Sequence, residues 1–95
     1  MDIKTIIGRL AKVICMDGAT DFFDNVNEYG TPALQLENEG FRINFANGNT
    51  VRLYMYCGTI FGNFTNKGWS HNSMAWDQKK AMTIWNEVTD VLLVA

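Results

Sequence analysis

Between Leu34 and Thr65 apolar and polar residues alternate, and turn signals interrupt the alternation at Glu39-Gly40, Ala46-Asn47-Gly48 and Cys57-Gly58. Side chains along a strand point to opposite faces with period two, so a hairpin that slips by one residue moves its whole apolar set to the wrong face. One register per hairpin meets that constraint. Ala46-Asn47-Gly48 suits a three-residue loop, a type I turn followed by a left-handed glycine, which pairs Ile43 with Val51 and Phe41 with Leu53. Cys57-Gly58 as a two-residue turn sets Met55 against Ile60, Leu53 against Gly62 and Val51 against Phe64. Glu39-Gly40, given the same role upstream, sets Leu36 against Ile43 and Leu34 against Phe45, with Glu37 opposite Arg42 on the other face.

Helical spacing flanks this region. Ile3, Ile6, Ile7, Leu10, Val13 and Ile14 mark an amphipathic helix with Asp2 as N-cap and Gly18 as stop. Gly8 weakens that helix and is expected to permit close packing. Phe22, Phe23, Val26 and Tyr29 predict a short second helix from Thr20 to Tyr29, capped by Thr20 and ended by Gly30. Thr31-Pro32 then turns the chain into the first strand. Trp69 to Ala75 is either a loop or a short fifth strand, and its polar content favours a loop. Ala81, Trp85, Val88 and Leu92, flanked by Met82, Ile84 and Val91, form the stripe of a last helix capped by Asp77, with Trp76 and Ala81 placed as a hydrophobic staple. Trp85 is expected in the core.

The expected fold is therefore α+β in one domain, residues 1–95: a four-stranded antiparallel β-meander with two long helices on one face, in the order α-α-β-β-β-β-α, the second helix short. A four-stranded sheet holds two helices side by side at about 10 Å spacing. Both go on the Leu36/Ile43/Leu53 face. The second face is left free, or covered by the Phe22-Phe23 helix or a symmetry partner.

That second face carries Arg42, Arg52, Tyr54, Tyr56 and Phe61. The register sets Arg42 opposite Arg52, Arg52 opposite Asn63 and Tyr54 opposite Phe61. Facing arginines repel unless an anion sits between them, and Glu37 is the available carboxylate. Arginine and aromatic side chains are also the residues enriched at binding hot spots. They are the first candidate binding residues. Asp21, Asp24 and Glu28 form a second candidate, an acidic stretch suited to a basic groove normally occupied by nucleic acid.

Other chemistry finds little support. Eight basic against ten acidic residues give a net charge of -2, which removes the usual electrostatic reason for nonspecific nucleic-acid binding. Cys15 and Cys57 lack metal-ligand spacing and read as unrelated reduced thiols. Asn63-Phe64-Thr65 matches a glycosylation sequon but reads as chance without a secretory signal. His71, the only histidine, reads as solvent-exposed, at the opposite end of the sheet from Cys57. Asp17, Asp21, Asp24 and Glu28 do not match a calcium-binding loop. No glycine-rich phosphate loop, serine elbow or histidine-carboxylate metal motif occurs. No catalytic residue, cofactor or metal is expected.

Lys79-Lys80-Ala81 opens the last helix after a meander preceded by a helix, a layout that resembles double-stranded RNA-binding domains. That family's Gly-Pro-x-His loop is missing between the strands, so the resemblance implies an architecture and no function. Without a leader-like N-terminus or a membrane-spanning apolar run, the expected location is cytoplasmic. The expected function is a small non-enzymatic protein-binding module, of the sort phages and mobile elements encode to block a host protein or nucleoprotein complex. The alternatives are a nucleic-acid-binding module using Lys79, Lys80 and helix one, and a homo-oligomer, such as a homodimer, with structural aromatics.

Overall fold

A computed structural model describes residues 2–14, 18–66, 68–74 and 77–94, with residues 69, 71–74 and 94 described by backbone alone. The order is α1 (Ile3–Val13), α2 (Ala19–Asp24), a 3-10 turn (Val26–Tyr29), β1 (Pro32–Glu37), β2 (Gly40–Phe45), β3 (Thr50–Tyr56), β4 (Thr59–Asn66), β5 (Trp69–Met74) and α3 (Gln78–Val94). The strands form one antiparallel sheet in the order β1-β2-β3-β4-β5. The expected four-stranded meander is present, extended by one strand. Residues 69–74 thus pair as an edge strand where polar content favoured a loop; hydrogen bonding to β4 needs only backbone groups, and an edge strand need not bury its side chains.

Pairings across the two central hairpins follow the alternation, with Ile43 opposite Val51, Phe41 opposite Leu53, Met55 opposite Ile60 and Val51 opposite Phe64. Gly48 (φ 95°) closes the three-residue loop, while Cys57 (φ 52°) and Gly58 (φ 77°) make the two-residue turn with the paired left-handed conformations that suit the twist of a hairpin. The first hairpin differs. Leu34 faces Ile43, Leu36 faces Phe41, Gln35 faces Arg42 and Glu37 faces Gly40, a shift of two residues from the expected pairing that preserves the faces. The turn is Asn38-Glu39. Gly40 belongs to the strand, where a Cβ would lie 2.0 Å from the Leu53 carbonyl oxygen, so its missing side chain serves close approach to β3 rather than a turn.

The core lies between the sheet and the helices. Phe41, Ile43, Val51, Leu53, Ile60 and Phe64 face Ile6, Leu10, Val13, Ile84 and Val88, all buried. Both long helices cover this one face. Phe22 of α2 joins them, its ring 4.7 Å from that of Phe64 and 6.3 Å from that of Phe45. The short helix therefore belongs to the core side and does not cover the other face.

The helix ends show what interrupts the patterns. Asp2 caps α1 by accepting from the Thr5 N–H at 2.7 Å, but the helix stops at Val13 rather than running to Gly18. Ile14 takes an extended conformation and stays buried. Its side chain occupies the space over Gly62, where a Cβ would come within 2.6 Å of Ile14 Cγ1. The expected Thr20–Tyr29 helix is two pieces starting after Gly18, so Thr20 is not its N-cap. Asn25 breaks it, donating through Nδ2 to the Asp21 carbonyl at 2.8 Å, a side-chain bond that competes with helix continuation. Gly8 meets nothing within 4 Å, so it is not there for close packing.

Asp77 caps α3, accepting from the Lys80 N–H at 3.0 Å. Trp76, its expected staple partner, lies outside the described residues, as do Cys15 and Asp17. Ile84 and Val88 are buried, whereas Trp85 is only partly buried. Its indole N–H donates to the Glu39 carbonyl at 2.9 Å, which draws the ring to the rim of the sheet. The expected core tryptophan is thus a strap over the first turn.

Candidate protein-binding face

Period two places Gln35, Arg42, Arg52 and Asn63 in one row across β1 to β4 on the face away from the helices. The next row runs Glu37, Gly40, Tyr54, Phe61. The expected oppositions of Arg42 with Arg52, Arg52 with Asn63 and Tyr54 with Phe61 are all present.

Glu37 reaches diagonally from its own row to both arginines. Its carboxylate lies 3.0 Å from Arg42 Nε and 3.8 Å from an Arg52 terminal nitrogen. The Arg42 contact is an ion pair whose angle falls short of a hydrogen bond, so the attraction is mainly coulombic. One carboxylate between two guanidiniums offsets their repulsion and leaves one net positive charge. The Arg52 guanidinium carbon sits 4.3 Å from the centroid of the Tyr54 ring, a cation–π distance. Tyr54 stacks on Phe61 at 5.6 Å and 20° between planes, and Tyr56 meets the same ring edge-on at 6.4 Å and 68°.

The result is a continuous sequence of contacts from Glu37 through the arginines to three aromatic rings. Tyr56 at its end is 60% exposed, so its ring is open to a partner. Next to Arg52 and Tyr54 a shallow hollow of about 260 Å³ is bounded also by Glu37, Asn38 and Glu39. Side chains already held by neighbours lose less rotamer freedom when a partner docks, which lowers the entropic cost of association.

The acidic stretch does not join this surface. Asp21, Asp24 and Glu28 are exposed on α2 and the 3-10 turn, in the layer that packs on the opposite face of the sheet. Asp21 is tied to Asn25 by a 3.3 Å side-chain bond. Among the described residues, no group of three His, Cys, Asp or Glu side chains is arranged to hold a metal ion. Cys57 is a free, exposed thiol in the β3–β4 turn. The backbone of His71 pairs with Phe64, five positions along β4 from the Thr59 that follows the turn.

Sequence reasoning missed two contacts that organise the fold. Gln78 accepts from the Ile60 N–H at 2.8 Å and donates to the Ile60 carbonyl at 2.9 Å. Arg9 pairs with Glu87 and so joins α1 to α3. No periodicity announces either, because each depends on the relative placement of distant elements.

No family model, curated protein or solved structure matches the chain. The fold and the face define a two-layer α+β domain with one sheet face covered by helices and the other carrying arginines and aromatics. Among the described residues, no helix is long and apolar enough to cross a membrane.

Proposed function

We propose that this chain is a small non-enzymatic protein-binding module that docks through its open sheet face, acting in the cytoplasm as a phage or mobile-element inhibitor of a host protein or nucleoprotein complex. The observation that carries the reading is the run of contacts from Glu37 through Arg42 and Arg52 to Tyr54, Phe61 and the exposed Tyr56. Arginine and tyrosine dominate binding energy where they are held rigid and desolvated by a partner. The rows of Arg, Asn and Gln around them supply donors and acceptors for a polar rim. The sequence offers no catalytic motif to set against this, and a module that acts by occupying a surface needs none.

The test compares the wild-type chain with the Tyr54→Ala/Phe61→Ala double variant by affinity capture from host lysate, with and without nuclease, followed by mass spectrometry. Both side chains are only partly buried, so the variant should keep its helical circular dichroism and cooperative unfolding. A stoichiometric partner retained by the wild type and lost by the folded variant supports the reading. Equal capture by both removes the sheet face as the docking surface. A wild-type dimer that the substitutions convert to monomer would instead assign the aromatics to self-association.

A further inference from the structure

The helical side of the molecule carries a separate feature. A groove of about 280 Å³ runs between α1 and α3, bounded by Arg9, Lys12 and Val13 on one side and by Lys80, Thr83 and Ile84 on the other. Its floor is the buried aliphatic pair Val13 and Ile84. Its walls carry three cations and no acid, in a chain whose net charge is -2. Glu87 holds Arg9 in place from the flank. Lys12 and Lys80 are exposed, and among the described residues neither has a carboxylate within ion-pair range.

We infer that this groove binds the phosphate backbone of a nucleic acid. Arg9 and Lys12, three positions apart, are neighbours on the helix surface at about 5–6 Å, and packed helices lie about 8–10 Å apart. Lys12 on α1 and Lys80 on α3 therefore stand on the two sides of the groove. Repeated cations from two separate elements match a ligand with repeated charges better than a single carboxylate. Lysine ammoniums act as point charges toward phosphate and read no sequence. A membrane surface fits less well, because among the described residues the strongly exposed apolar side chains, Leu36, Tyr56, Val91 and Leu93, do not line the groove and interfacial binding draws on buried apolar area. The groove lies on the helical layer and the proposed protein-binding face on the opposite side of the sheet, so this inference stands or falls independently of that one. Together the two surfaces would let one domain touch the protein and the nucleic acid of a nucleoprotein complex at once.

Fluorescence anisotropy with labelled single-stranded and duplex oligonucleotides tests it. Two to three phosphates in contact predict that duplex affinity falls about 10-fold to 40-fold between roughly 50 and 200 mM salt. Lys12→Glu/Lys80→Glu should abolish binding, Lys12→Gln/Lys80→Gln should weaken it and flatten the salt slope by about two, and Tyr54→Ala/Phe61→Ala should leave it unchanged. No anisotropy change with either oligonucleotide at the lower salt would overturn the inference. So would undiminished binding by the folded glutamine variant, or binding to phosphatidylserine vesicles without binding to oligonucleotides.

Discussion

The side-chain amide of Gln78 grips both backbone groups of Ile60, accepting from its N–H at 2.8 Å and donating to its carbonyl at 2.9 Å. Met74 of β5 pairs with Phe61, the next residue along β4. The first residue of α3 holds both groups as a neighbouring strand would, and a helix is thereby locked to the sheet.

Gln78→Ala should therefore leave two backbone groups of Ile60 without their partner. An unsatisfied buried polar group costs about 1–3 kcal/mol, and chemical denaturation should show a loss in that range. Gln78→Glu, which keeps the acceptor and loses the donor, should recover part of it at most. A loss below about 0.5 kcal/mol in the alanine variant would mean that water replaces the amide without cost.

Glu37→Gln removes the charge that stands between Arg42 and Arg52. Directly opposed like charges destabilise a sheet, and partly exposed pairs contribute less than about 1 kcal/mol. The variant should be less stable by that order at low ionic strength, and the difference should shrink in roughly 1 M salt, where the screening length is about 3 Å. A salt-independent loss would point to packing rather than charge.

Gly8 lies inside α1 with open space where a Cβ would stand. Gly8→Ala should stabilise the domain by up to about 1 kcal/mol, the difference in helix propensity. Thermal unfolding monitored at 222 nm checks this. A destabilised variant would show that the position needs its missing side chain after all.

Tyr29 donates its hydroxyl to the Phe22 carbonyl at 2.9 Å, and burial, assisted by the charges of Asp21 and Glu28, raises its pKa above 10.0. The folded state then holds the phenol proton more tightly than the unfolded chain. Stability is unaffected by this group below pH 10 and falls as pH rises past that value toward the folded pKa. Tyr29→Phe should lose the hydrogen bond at neutral pH and show a smaller loss of stability between neutral and alkaline pH than the wild type. Parallel pH profiles for the two proteins would remove the assignment.

The central registers were legible because Gly48 and Gly58 do what turn glycines do, adopting positive φ, while apolar residues alternate around them. The first hairpin was misread for the same reason. Gly40 looks like a turn glycine, but its small size is required by the Leu53 carbonyl on the neighbouring strand, a fact of tertiary contact. β5 lacks apolar alternation, and its existence depends on β4 offering a free edge. The helix boundaries failed where a tertiary partner overrode propensity, as at Ile14 over Gly62.

The site divides along the same line. Which residues share the open face follows from period two, and Arg42, Arg52, Tyr54, Tyr56 and Phe61 could be named together from the chain alone. That Glu37 reaches both arginines, and that Arg52 lies over Tyr54, depends on rotamers that no spacing encodes. The groove between Lys12 and Lys80 joins residues far apart in the chain, and only the α1–α3 packing brings them together.

Every strand in this sheet pairs only with its neighbours in sequence, through turns of two or three residues. Such hairpins close small loops and form fast, whereas the contact of Arg9 with Glu87 spans 78 residues and closes nearly the whole chain, at a correspondingly larger entropic cost. The sheet can thus zip together one hairpin at a time, with the α1–α3 seam the last to shut. Substitutions in the Ala46–Gly48 and Cys57–Gly58 turns should then act mainly on the rate of folding, and those at the Arg9–Glu87 seam mainly on the rate of unfolding. The same late seam frames the groove, so the cationic surface would come into being only at the final step of folding.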